Sequence, residues 1–474
     1  MHNSKIYSVL QYFDKIEQNR LRKYIVSPYF NKNEALIQLF ERLVRDINRP
    51  NGIELTKEKT WSELYADKPY DDVRFRKLCS DLLKLVEGFL AQEEYQKDSM
   101  HQANFLMEAV IKRKLSKLFQ TCINTSNRLS KKYPFRAAEY FHHQYKFQSS
   151  RYALLAFETQ RTQKSNIEEI IQHLDKFYLG EKLKLTCDML SRKALGAHDY
   201  QNLFIEEITE YLSKLPIDDA PPVEIYYQSY LTYTQPEKQE HYFKLKKLIQ
   251  EHGDSFPSDE LETLYGSLQN YCIKKVNQNG SMTFLKESFD LYKELLKKQI
   301  LLTDGELSPW QFKNIVFNSL RLSEFEWTEN FIKEYKPKLP AKSRESAVSF
   351  NLARLRFYQK NYEEVISLLS KVEYEDISYN LGSKTMLLAT YYETDEIEPL
   401  YSLMDSFRAF IRRKKEKLPK RRIDNYLQLI NFVKKLTKIR PGDAKAIQRL
   451  KDQVENTKGV ADERWLLKKI AELE

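Results

Sequence analysis

Apolar residues recur three or four positions apart along almost the whole chain. Ile6, Leu10, Phe13 and Ile16 share that spacing, as do Leu36, Leu39, Phe40, Leu43, Val44 and Ile47. Leu78, Leu82, Leu85, Val86 and Phe89 follow the same rule in a third segment. Residues at these intervals fall on one face of a helix with 3.6 residues per turn, so each segment predicts an amphipathic α-helix. No window of four or more residues alternates cleanly between apolar and polar, and the fold class expected is all-α. Helix starts are announced by capping residues: SPYFNKNE before Ala35, Thr56 before KEKTW, and Asp71-Asp72 before VRFRKLCSDLL. Short polar joints such as NQNGS, TDGELSP and YKPKLP separate the later helices.

The C-terminal half repeats. NLARLRFYQKNYEEVISLLSKV aligns with LLATYYETDEIEPLYSLMDSF, so that Leu352 matches Leu387, Tyr362 matches Ile397, Val365 matches Leu400 and Leu369 matches Met404. Upstream, NIVFNSLRLSEFEWTENFIKEY places Ile315, Val316, Phe325, Thr328, Ile332 and Tyr335 in the same slots. A period of roughly 34 residues built from two antiparallel helices marks a helical-repeat array. On these residues the chain resembles the tetratricopeptide-repeat superfamily, with Leu352-Ala353 in the close-packing slot of a first helix and Pro340 in the closing-proline slot. The copies depart from the family pattern: Val365 and Leu400 stand where alanine is usual, and the paired glycine of the first helix is absent. The resemblance implies a right-handed α-solenoid of antiparallel helix pairs, in which each pair buries its apolar face on the next.

Three segments are expected: a small helical unit over 1–95, a degenerate helix-pair array over 96–310, and tetratricopeptide-like pairs over 311–474. The tail KGVADERWLLKKIAELE reads as a capping helix closed by Trp465, Leu466, Ile470 and Leu473. Within the first segment, residues 55–90 have the rhythm helix, turn, helix. They are similar to the winged-helix segment that precedes a tetratricopeptide-like domain in some bacterial transcriptional activators, with Trp61, Leu64 and Tyr65 closing one helix and Val73 to Phe89 forming the next. Two observations oppose DNA reading. Residues 1–100 hold seventeen Lys/Arg against sixteen Asp/Glu, whereas phosphate contacts supply much of a DNA binder's affinity. The helix end that should meet the bases offers Asp71 and Asp72.

Glycine is scarce, 11 in 474 residues, and too dispersed for a phosphate-cradling loop. The four cysteines, Cys79, Cys122, Cys187 and Cys272, are too far apart to ligate a metal locally and read as packing residues. His142-His143 are helix neighbours about 100° apart, a poor chelating pair, with one expected inward and one toward a groove. No catalytic, cofactor-binding or metal-ligating residue is assigned, and no enzyme is expected. No apolar stretch suits a membrane span or a signal peptide, and a cytoplasmic location is expected.

Charge changes the picture in one place. The chain carries +10 overall, but Arg408 to Lys451 holds sixteen Lys/Arg and three Asp/Glu, which leaves the remainder slightly acidic. Helix-terminal cations gain about 0.3–1 kcal/mol from the dipole, which accounts for two or three of them. Arg408, Arg412, Arg413, Lys414, Lys415, Arg421 and Arg422 therefore form a candidate site for an acidic protein or polyanion, against the plainer alternative of a solvated rim. The function expected from the architecture is a protein-interaction scaffold that takes a partner peptide or helix in its groove. The alternative is a transcription regulator whose first unit reads DNA and whose array senses or oligomerises.

Overall fold

A computed structural model of the chain describes residues 1–49, 55–158, 165–195, 200–214, 219–370, 376–457 and 459–474, without the side chains of 154–158, 194 and 195. Lys371 and Val372, at the end of one repeat, and Lys458, at the head of the tail, lie outside the described residues. The described chain is all-helical apart from one two-residue hairpin, and it divides into two compact units, Met1–Tyr227 and Gln228–Glu474.

The first unit begins with α1 (Lys5–Leu10), α2 (Lys15–Val26), α3 (Glu34–Ile47), α4 (Lys57–Leu64) and α5 (Asp72–Lys97). Their inward stripes form one core that includes Leu10, Leu21, Leu39, Phe40, Leu43, Leu82 and Val86, all inaccessible to solvent. The expected caps are in place. Asn33 accepts from Ala35 N–H, Thr56 from Lys59 N–H, and Asp71 from the N–H groups of Val73 and Arg74. Next come α6 (Ser99–Lys112), α7 (Ser116–Lys132), α8 (Ala138–Glu158), α9 (Ile167–Leu195) and α10 (Ile205–Lys214). Here α6 packs on α7 and α8, and α8 packs along α9. Helix α11 (Pro221–Thr234) carries the chain into the second unit.

There α12 (Gln239–His252), α13 (Ser258–Asn279) and α14 (Met282–Lys297) lead to β1 (Leu302–Thr303) and β2 (Glu306–Leu307). This antiparallel hairpin is a correction to the reading of TDGELSP as a simple polar joint. Asp304 and Gly305 both take positive φ, 52° and 81°, the backbone that a two-residue hairpin turn needs, and Leu307 is fully buried.

Three helix pairs follow: α15 (Pro309–Arg321) with α16 (Phe325–Tyr335), α17 (Ala341–Tyr358) with α18 (Tyr362–Ser370), and α19 (Ile377–Glu393) with α20 (Ile397–Arg413). Each pair turns through a single non-glycine residue in the left-handed region, Ser323, Lys360 and Asp395, at φ 62°, 61° and 56°. The next residue's N–H then reaches back five positions: Glu324 to Ser319, Asn361 to Arg356, Glu396 to Tyr391, at 3.0, 2.9 and 2.9 Å. This bond satisfies a carbonyl that the helix end would leave open. The three turns are thus one device, repeated at the spacing of the sequence alignment.

Helix α15 packs on α17, and α17 on α19. Part of the alignment is core: Ile315, Val316, Thr328, Val365 and Leu400 are inaccessible, and Met404 nearly so, whereas Leu352, Leu387, Phe325 and Tyr362 are half-buried and Ile397 is exposed. Although no glycine stands in the aligned slot, Gly382 supplies close approach elsewhere on α19. A Cβ there would lie 2.8 Å from Phe350 Cζ on α17. The chain ends with α21 (Lys420–Leu436), α22 (Ala444–Glu455) and α23 (Glu463–Ala471). As the tail pattern indicates, Leu466 and Ile470 are fully buried against α21, with Trp465 and Leu473 packed beside them.

Gly382→Ala should lower the unfolding free energy by about 1–3 kcal/mol through overpacking. Urea denaturation measures the loss, and Phe350→Leu introduced into the same chain should restore part of it.

Candidate functional site

The second unit contains a cleft of about 980 Å³ whose walls come mainly from α15, α17, α19, α21 and α23. Helical periodicity explains the lining. Lys313, Phe317 and Arg321 are spaced by four on α15, and Arg354 and Tyr358 repeat that spacing on α17. Ser378 and Gly382 come from α19, Arg422 and Tyr426 from α21. The far wall is the loop before α23. Ala461 N–H donates to Asn425 O at 3.2 Å, and Asp462 sits at φ 51°. Gly459, at φ 83°, approaches Asn425 so closely that a Cβ would lie 2.9 Å from its Oδ1.

Eight basic residues line the cleft against two carboxylates, Glu393 and Asp462. Glu393 is already engaged: it accepts from Trp465 Nε1 at 2.9 Å and from Lys469 Nζ at 2.8 Å. The floor cations are held instead by aromatic faces. Arg354 Cζ lies 5.1 Å from the Phe317 ring centre and 4.9 Å from that of Phe350. Lys313 Nζ lies 5.4 Å from Phe350 and 5.2 Å from Tyr379. Among the described residues Arg354 makes no hydrogen bond or ion pair, and Lys313 donates only a long 3.4 Å bond to Ser378 Oγ. Arg356, two residues along α17, is by contrast ion-paired with Glu329 at 3.2 Å and Glu364 at 2.8 Å.

The electrostatic consequence follows. Desolvation first, then the nearby charges of Arg354 and Arg422, push the Lys313 ammonium down to about 8. Desolvation likewise lowers Arg354 and raises the Asp462 carboxyl, the latter opposed by Arg354. Asp462 is open to water yet enclosed by the cleft walls at longer range, which is how an accessible carboxyl is still desolvated. Thr385 Oγ1, also in the lining, has no hydrogen-bond partner. A ring face attracts a cation without occupying its N–H donors, so the floor offers unused donors to an anion.

Of the seven residues singled out from charge density, one reaches this cleft. Arg422 is half-buried and donates to Ser378 Oγ at 3.0 Å. Arg408 turns to Asn431 and Asp405, at 3.0 and 3.4 Å. Arg412, Arg413, Lys415 and Arg421 are exposed around the α20–α21 joint, and Lys414 is half-buried there. Counting charge along the chain missed Lys313, Arg321, Arg354 and Arg464 because they stand singly. The repeat alignment carried the signal: Phe317 and Arg354 share one slot, and Arg321 and Tyr358 another.

At the other sequence-derived candidate, α4 and α5 show the expected helix–turn–helix rhythm. Trp61 is buried and donates to Lys68 O at 3.1 Å. Asp72, at the start of α5, is held well below the usual carboxylate range by Tyr70, Arg76 and Lys57. That helix end stays anionic. The cysteines carry no disulfide, and burial pushes the Cys79 and Cys272 thiols up to about 11 and about 12. No helix of the described residues is long and apolar enough to cross a membrane. Compared with known proteins, the chain matches no family model, no curated protein and no solved structure.

The folded-state pKa of Lys313 lies below that of an unfolded lysine, about 10.4. The unfolded chain therefore binds more protons between these values, and stability from this group should rise with pH across that window. Lys313→Met should be more stable than the natural protein at about pH 7 and lose most of this increment between about pH 8 and about pH 10.4, as read from urea midpoints.

Proposed function

We propose that residues 311–474 belong to a tetratricopeptide-like, right-handed solenoid, and that the chain is a non-enzymatic interaction scaffold. Its cleft in the second unit takes an extended, acidic segment of a partner protein. The observation that carries this reading is the pair of floor cations, Lys313 and Arg354, held on aromatic rings and, among the described residues, with no carboxylate in ion-pair contact; Asp376 acts on Lys313 and Asp462 on Arg354 only at longer range. A partner's carboxylates supply the missing charge, and its apolar side chains meet Phe317 and Tyr358, exposed at 42% and 38%. The repeated left-handed turns and the succession α15, α17, α19 support the solenoid. The three first helices, spaced about 8–10 Å apart, extend over about 16–20 Å. That length suits about five or six residues of extended peptide, read by charge at some positions and by ring contact at others.

Fluorescence anisotropy tests the reading with a labelled glutamate-rich peptide of about twelve residues and its glutamine counterpart. The acidic peptide should bind and the neutral one should not. Arg354→Ala with Arg422→Ala should weaken binding about ten- to a hundred-fold, the worth of one or two charge-assisted hydrogen bonds. Reversing Arg412, Arg413 and Arg421 to Glu should change it by no more than about threefold. Loss confined to that second variant, or equal retention of single-stranded nucleic acid and peptide, overturns the proposal.

A further inference from the structure

The strongest unassigned cluster lies in the first unit, where α6 crosses α8. Asp98 caps α6, its Oδ1 accepting from Met100 N–H at 2.7 Å and His101 N–H at 3.1 Å. Its Oδ2 is left facing two imidazoles, 3.2 Å from His101 Nδ1 and 3.2 Å from His143 Nε2. The three atoms lie within 4.8 Å of one another. Glu139, one turn before His143 on α8, places Oε1 3.6 Å from the same Nε2.

A simple Asp–His hydrogen bond does not account for this arrangement. The His143 side chain is fully buried, yet its Nε2 makes no hydrogen bond despite two carboxylates nearby. A nitrogen so placed is aimed between its neighbours and not at one of them. A tetrahedral ion with bonds of about 2.0–2.2 Å spaces its ligands about 3.3–3.6 Å apart; the two distances from Asp98 Oδ2 are close to this, and the two imidazole nitrogens lie within 4.8 Å of each other. The other ring nitrogen fits the same scheme. His143 Nδ1 lies 3.4 Å from the Asn104 amide. The oxygen and nitrogen of that amide are interchangeable by assignment, so Oδ1 can accept from Nδ1–H and leave the Nε2 lone pair free for a metal.

We propose that Asp98, His101 and His143 bind a divalent transition-metal ion of the zinc class, with Glu139 or water in the fourth position. Two imidazoles favour such an ion over magnesium or calcium, which prefer all-oxygen sites. The ion pins the start of α6 to the second turn of α8. His101, with its side chain 44% exposed, gives the entry path. His142, the other member of the sequence pair, stacks on Phe177 at 4.7 Å and takes no part.

The test uses the full untagged chain, stripped with chelator and titrated with Zn²⁺ or Co²⁺. One ion should bind per chain, Co²⁺ should give visible ligand-field absorption, and saturating Zn²⁺ should raise the Tm by roughly 5–10 °C. Asp98→Asn keeps a competent helix cap, and His101→Ala alters a half-exposed ring, so both variants should fold and bind at least about tenfold more weakly. His142→Ala should bind like the natural protein. Absence of metal uptake by the natural chain, or undiminished uptake in Asp98→Asn and His101→Ala, overturns the site.

Discussion

A hairpin of two α-helices has apolar residues on more faces than the hairpin itself can cover. In the second unit the uncovered faces are satisfied by the neighbouring pair, and the rest of the architecture follows from that need. The turns at Ser323, Lys360 and Asp395 share one backbone conformation and one back-reaching hydrogen bond, so successive pairs leave their first helices in equivalent positions. Stacking then depends on how near those helices can come. Gly382 settles this between α17 and α19 by giving the Phe350 ring the space a Cβ would fill. Equivalent positions on consecutive first helices are thereby brought together along one cleft.

That alignment decides the electrostatics. Arg354 and Arg356 are two residues apart, yet they live in different surroundings because residues two apart on a helix point nearly opposite ways. Arg356 meets Glu329 and Glu364, while Arg354 meets Phe317 and Phe350. The first arrangement neutralises charge and the second conserves it. A desolvated cation without an anion costs folding free energy, and proteins concentrate such costs where they serve binding or chemistry. Lys313, pushed down to about 8 first by burial and then by Arg354 and Arg422, shows the cost of desolvating a cation beside others.

Much of this was legible in the sequence, because the features concerned are local. Apolar spacing marks the helices, Asn33, Thr56 and Asp71 mark their starts, and the 311–408 alignment marks some of the buried residues, Val365, Leu400 and Met404 among them. The hairpin at 302–307 was missed, because Asp304-Gly305 was read as part of a polar joint and a two-residue strand is too short to show alternation. The dense basic run drew attention for a reason that does not survive folding. Adjacent cations at a helix joint diverge into solvent, and only Arg422 turns into the cleft.

By itself, then, the sequence determined what depends on neighbours along the chain: helical periodicity and capping. Tertiary structure decided which solitary side chains meet. Lys313, Arg354, Arg422 and Asp462 are drawn from four elements, as Asp98 and His143 are drawn from two, and nothing in their immediate neighbours records the encounter. The physical reason is that helix formation is governed by hydrogen bonds and side-chain pairs within about four residues. Charge and ligand clusters, by contrast, are set by the crossing of helices that packing alone brings together.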